Sequence, residues 1–194
     1  HLIEYRPSKR RWLTSDITAA ANGPAVQGDV SVNMFIGGAA RATLEVFARG
    51  TDGHLIRYYR AGKFGWRTED ISAQLSGGAA ALTGPIVTVS GGFGQRFVYA
   101  QAGGRIVEFS SDIDGWHAQE LALPAGVSSI VGPLAATATN GGTGRVIYGY
   151  APNGSLVQFT SDGTTWTASV LNSTSGSSAG TSPLGTLFDA LADL

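Results

Sequence analysis

The sequence predicts an all-β fold, a β-propeller of four-stranded antiparallel blades with about three and a half blades in this chain, and three observations carry that reading. Tryptophans recur at Trp12, Trp66, Trp116 and Trp166, spaced 54, 50 and 50 residues apart. Each follows an apolar pair, a polar residue and an aromatic: Leu2-Ile3-Glu4-Tyr5, Leu55-Ile56-Arg57-Tyr58, Ile106-Val107-Glu108-Phe109 and Leu156-Val157-Gln158-Phe159. Seventeen to nineteen residues past each tryptophan stands Asp29, Pro85, Pro133 or Pro183, preceded by Gly28, Gly84, Gly132 or Ser182, and each pair leads toward an apolar stretch. Self-similarity at a fixed period of this size marks a repeat architecture.

Within one unit, alternation and β-branched or aromatic content divide the chain into four strands, in the second unit His54 to Arg60, Trp66 to Ile71, Pro85 to Ser90 and Arg96 to Gln101. Thr51-Asp52-Gly53, Ala102-Gly103-Gly104 and Pro152-Asn153-Gly154 supply the tight turns, whose positive φ suits Gly and Asn. One such sheet cannot bury both of its faces, so copies must pack on one another. Four strands per unit of 40 to 50 residues fit a propeller blade better than a solenoid coil.

Composition narrows the function classes. A net charge of -1 offers no basic field for phosphate backbones, so nucleic acid is not an expected partner. The chain has no cysteine, which removes thiolate catalysis, cysteine-ligated zinc and disulfides. No apolar run reaches the roughly 18 residues of a membrane-spanning helix. Twenty-eight glycines with only 14% charged residues agree with many short strands joined by turns. The first residue is His1 rather than Met, so a processed, trimmed or excised segment is expected.

The segment Leu44-Glu45-Val46-Phe47-Ala48-Arg49-Gly50-Thr51-Asp52-Gly53-His54-Leu55-Ile56, followed by Gly65-Trp66, resembles the tandem-repeat propellers related to the fucose-binding seven-bladed lectins of Photorhabdus, whose units carry a "VFxRGTDGxL" hairpin and then a "GW" element. The resemblance spans residues 1 to about 171 and is close over 44–66. It implies that strands of the Pro85 to Ser90 type line a central channel and that the tryptophan strands lie outermost. On that frame, residues 1–17 form an outer hairpin, and blades cover about 30–71, 85–121 and 133–171. Such a count falls short of a closed ring, so completion by further chain segments, by a homodimer, or by the two ends forming a fourth blade is expected. Residues 172–183 have linker composition. Beyond them, Leu184, Leu187, Phe188, Leu191 and Leu194 recur at helical spacing; Pro183 also sits in the repeat's phase, so 184–194 reads as a short amphipathic helix or as the start of the next blade.

No catalytic constellation is evident. Asp29 opens one inner strand, but Pro85, Pro133 and Pro183 hold the equivalent positions, so no carboxylate pair is placed for glycoside hydrolysis. Ser110 to Trp116 and Thr160 to Trp166 resemble the sialidase Asp-box with shortened spacing, which is a structural turn. His1, His54 and His117 share no short-range ligand spacing, so no metal and no cofactor are expected. Sugar binding needs an aromatic face and directional polar groups. Trp12, Trp66, Trp116 and Trp166 offer the first or pack blades together. Arg57 and Glu108, at one variable phase, offer the second, with Tyr59, Tyr150 and Arg49 as further ligand-binding candidates. The expected function is a secreted or surface carbohydrate-binding domain, for fucose or methylated sugars, free-standing or the targeting module of a larger protein, with a non-catalytic protein-interaction scaffold as the alternative and a glycoside hydrolase a distant third.

Overall fold

The structure, a computed structural model, describes residues 1–36, 42–61, 64–75, 80–91 and 95–171. The expected linker at 172–183 and the segment 184–194 lie outside the described residues. Among the described residues, three four-stranded sheets follow one another, all antiparallel and each in simple sequential order. The first holds β3 (Val26–Ile36), β4 (Ala42–Gly50), β5 (Leu55–Ala61) and β6 (Phe64–Asp70) after a two-stranded hairpin of β1 (Ile3–Ser8) and β2 (Arg11–Asp16). The second holds β7 (Ile86–Ser90), β8 (Arg96–Ala102), β9 (Arg105–Ser111) and β10 (Trp116–Glu120). The third holds β11 (Val131–Thr139), β12 (Gly144–Tyr150), β13 (Leu156–Ser161) and β14 (Trp166–Val170).

The first strands of successive sheets, β3, β7 and β11, touch one another, which sets them on the inner side of an arc of blades. The tryptophan strands β6, β10 and β14 occupy the opposite edge of each sheet. The two largest hydrophobic clusters join one blade to the next, and a small one of Val146, Tyr148 and Leu156 lies within the third blade. Phe47 and Leu55 of the first blade pack with Ile86, Val98 and Val107 of the second, and Val89 and Tyr99 of the second pack with Ile130, Ile147 and Phe159 of the third blade and its approach.

Two details differ from the strand pattern read from the sequence. Single helical turns, α1 (Ile17–Ala20) and α2 (Ile71–Gln74), follow β2 and β6, because the carboxylates of Asp16 and Asp70 accept the backbone N–H groups of Ala19 and Ala73 and cap them. The inner strand of the first blade also begins earlier than Val30. A bulge between Gln27 and Val30 lengthens it, at Gly28 with φ of 74°. Gly132, at φ of 73°, repeats the same device in β11.

Candidate ligand-binding site

Cross-strand register assembles the site at the boundary between the second and third blades. Tyr99 on β8 stands opposite Glu108 on β9, and Glu108 stands opposite Gln119 on β10, so the three share the face turned to the third blade. The Tyr99 hydroxyl donates to Glu108 Oε2 at 2.9 Å, and Gln119 Nε2 donates to Oε1 at 2.7 Å. Burial beside that carboxylate pushes the Tyr99 hydroxyl far above its ordinary pKa, so it remains a donor.

The counter-charge comes from the neighbouring blade. Arg145 of β12 is buried, with Nε at 3.3 Å from Glu108 Oε2, an ion-pair contact without hydrogen-bond geometry. Its Nη2 donates to Ser161 Oγ at 3.2 Å, and its guanidinium lies 3.9 Å from the centroid of the Phe97 ring and 5.4 Å from that of Trp166. A cavity of about 430 Å³ opens onto this group, lined by Phe97, Glu108, Gln119 and Arg145, with Asp112 and Asp162 among the remaining residues. The Asp162 carboxylate is held well below the ordinary range by backbone and hydroxyl donors of Thr165 and Thr164, which fixes the turn before Trp166. Arg145 Nε and Trp166 Nε1 are buried donors without a hydrogen-bond partner in the protein. The cavity therefore offers carboxylate acceptors, guanidinium and amide donors, and one apolar ring edge, a combination that suits a small hydroxyl-rich ligand.

The preceding boundary is built differently. Glu45 of β4, fully buried, is gripped by Arg57 Nη2 and by Arg96 Nε of the second blade, the latter at 2.9 and 3.0 Å to its two oxygens. Arg57 also donates to Glu69 at 2.8 Å and lies 4.2 Å from the centroid of the Tyr59 ring. The carboxylate has moved to the second strand here, and an arginine occupies the phase of Glu108.

The remaining sequence candidates scatter. Trp116 meets Phe47 of the first blade edge-on at 6.0 Å, Trp66 is buried against Leu2 and Ile17, and Trp12 is exposed on β2. Arg49 donates to the Leu82 carbonyl at 3.4 Å, and Gln101, at the same phase, donates to that of Ile130. Both side chains latch a strand end to the chain entering the next blade. Tyr150 packs beside Val146, Tyr148 and Leu156. The structure thus joins Glu108 to Tyr99, Gln119 and Arg145, three residues that the sequence did not single out. A signal did exist, since Arg96 and Arg145 share one phase and each has a tyrosine three residues on.

Asp52, His54 and Asp70 bring metal-ligand types within 4.8 Å of one another. Their hydrogen bonds account for the grouping. His54 Nδ1 lies 2.8 Å from Asp70 Oδ2, whose other oxygen caps α2, and His1 repeats the arrangement at 2.6 Å from Asp16, which caps α1.

No protein-family model matches the chain, and no curated protein matches it. Solved structures do. A fucose lectin from Kordia zhangzhouensis, in complex with methyl-fucoside, aligns with a TM-score of 0.51 and 18% identity over 73% of this chain and 97% of that one. The Aleuria aurantia lectin, solved in complex with Fucα1-6GlcNAc, aligns with a TM-score of 0.62 and 19% identity over 89% of this chain and 54% of that one. Another structure of the Aleuria lectin, described as a six-bladed β-propeller, aligns at 0.61 and 19% identity over 92% and 54%. The chain spans about half the length of the Aleuria lectin. Sequential four-stranded sheets with inter-blade cores and this likeness together establish that the chain has the β-propeller fold.

Proposed function

We propose that this chain is a carbohydrate-binding, lectin-like domain that holds a hydroxyl-rich sugar, fucose being the first to test, in the cavity between its second and third blades. The observation that carries the reading is the Glu108–Arg145 pair, buried at the wall of an open cavity with Gln119 and Phe97 beside it. Buried charges kept beside solvent-reachable space are costly unless paired, and a sugar supplies hydroxyls able to bridge acceptor and donor. The fucosides bound to the Kordia and Aleuria lectins support the sugar class.

The reading is non-catalytic. Glu108 accepts from Tyr99 and Gln119 and faces Arg145, a setting that fixes the carboxylate among protein partners. Trp166, whose indole N–H has no partner in the protein, forms the outer wall of the same boundary. Such a domain works at the cell surface or after secretion, where glycans are displayed, and weak sites repeated around a ring gain strength by multivalency.

A glycan array followed by calorimetry with α-methyl-L-fucoside tests the proposal. Binding should fall about tenfold or more in Gln119→Ala, the loss of one hydrogen bond assisted by a charged partner. Silence across the array, or binding unchanged in Gln119→Ala and Glu108→Gln, rejects this site.

A further inference from the structure

The cavity between the second and third blades is unbalanced in charge. Its lining holds three carboxylates, Glu108, Asp112 and Asp162, against one guanidinium, Arg145. Glu108 and Arg145 are buried and face each other across the boundary, so they form a neutral floor. Asp112 and Asp162 are exposed and form the rim. They stand 50 residues apart at one repeat phase, each straight after the serine that ends a strand, Ser111 of β9 and Ser161 of β13, so each blade contributes one carboxylate. Uncharged donors anchor both. Asp112 accepts the N–H of Asp114, and Asp162 accepts those of Thr164 and Thr165, which holds both carboxyls below their ordinary range and keeps them ionised. Among the described residues neither pairs with a lysine or an arginine, and the ionisable partner of Asp112 is His117, with Nε2 at 3.1 Å from Oδ1.

The floor calls for a different group. Arg145, 5% exposed, has its Nε at the cavity wall without a hydrogen-bond partner in the protein. A hydroxyl oxygen satisfies such a donor. A ligand that fits both levels therefore joins a hydroxyl, for the floor, to a positive charge, for the rim. The carboxylates are not gathered as the ligands of a metal are: among the described residues that arrangement falls at Asp52, His54 and Asp70. A cavity of about 430 Å³ also exceeds what a bare ion fills. We propose, resting on the carbohydrate-binding reading of the same cavity, that it prefers an amino sugar, with the ammonium at the Asp112 and Asp162 rim and a hydroxyl on Arg145, and that it turns away acidic sugars. An ammonium brings three donors to the carboxylate oxygens, and a cleft dominated by one sign of charge concentrates ligands of the other. A sulfate or carboxylate on the sugar meets the same field with the opposite sign.

Calorimetry at low salt tests this by comparing α-methyl-L-fucoside and methyl glucoside with their 2-amino-2-deoxy analogues. At least one amino sugar should bind about fivefold tighter than its neutral parent, the combined effect of two exposed charge contacts. Raising the salt to about 0.5 M should erase most of that gain. The 3-O-sulfate of the fucoside should bind about fivefold more weakly than the fucoside itself. Asp112→Asn combined with Asp162→Asn keeps an acceptor for each turn and should bring the amino-to-neutral ratio close to unity, with circular dichroism confirming the fold. n-Butylamine, an ammonium without hydroxyls, should bind at least about tenfold more weakly than the amino sugar. A neutral sugar bound without gain from the ammonium, or a gain that survives high salt or the double substitution, overturns the charge selection and leaves the sugar site standing. So does a sulfate bound as tightly as its parent. n-Butylamine bound as tightly as the amino sugar overturns the sugar as the ligand, and no sugar bound at all overturns both.

Discussion

Trp166 meets Tyr99 edge-on across the boundary of the second and third blades, with ring centroids 5.9 Å apart and planes at 82°. Trp116 and Phe47 repeat the contact one boundary earlier, at 6.0 Å and 74°. The outermost strands of the second and third blades thus each reach back to an aromatic on the second strand of the blade before, and this contact ties the arc together.

Replacing Trp166 by alanine should destabilise the protein by about 3 kcal/mol, in the range of aromatic deletions from cores. Trp12→Ala, at an exposed ring of the same repeat phase, should change stability by about 0.5 kcal/mol or less. Denaturant unfolding of both variants distinguishes the two environments; equal effects would contradict the packing described.

Glu108 and Arg145 should be strongly coupled. Removing either partner leaves a buried charge uncompensated, so Glu108→Gln and Arg145→Met should each cost about 3 kcal/mol. The double variant should cost clearly less than the sum, and a double-mutant cycle reads the difference. Additive losses would show that the pair does not act as a unit.

His54 should give the protein a shallow pH dependence near neutrality. Its hydrogen bond to Asp70 raises its pKa above the ordinary 6.5. A raised folded-state value means that the stabilisation is complete below 6.5 and is lost as pH climbs through the folded value. The ring is partly exposed, so solvent screens the effect and the increment is small. Asp70→Asn keeps a capping side chain for α2 while removing the charge, and should flatten the melting temperature between pH 6 and pH 8. A wild-type profile already flat there would remove the claim.

Adjacent glycines should differ sharply. Gly103 and Gly104 have φ of 55° and 80°, but a side chain on Gly103 would meet open space, while one on Gly104 would stand 2.8 Å from Ser129 Cβ. Gly103→Ala should cost about 1 kcal/mol, the usual penalty of the left-handed region. Gly104→Ala should cost more, because the approach to the third blade must also widen. Thermal unfolding of the two variants gives the comparison.

The repeat, its strands and their turns were legible because each rests on local chemistry. Gly53 and Gly154 take φ of 87° and 83° where the sequence places Asp52-Gly53 and Asn153-Gly154, and the side chains of Asp52 and Asn153 accept the N–H of residues two further on. Glu108 could be nominated from its variable phase alone. The repeat phase could also have flagged Arg145, but not its pairing with Glu108, since Arg145 lies in another blade and reaches it only once the sheets are stacked. Arg57 shows the converse: at the same phase as Glu108 it holds Glu45 and Glu69 of its own blade.

By itself, then, the sequence determined a period, a strand order and the face on which each side chain stands, because alternation along a strand and residues tolerant of positive φ are properties of short segments. Tertiary structure alone decided which charges meet at each boundary. A carboxylate on the third strand, as at Glu108, faces one arginine of the next blade beside a cavity, while one on the second strand, as at Glu45, is held by two arginines, one of them from the next blade, and that outcome depends on how neighbouring sheets meet.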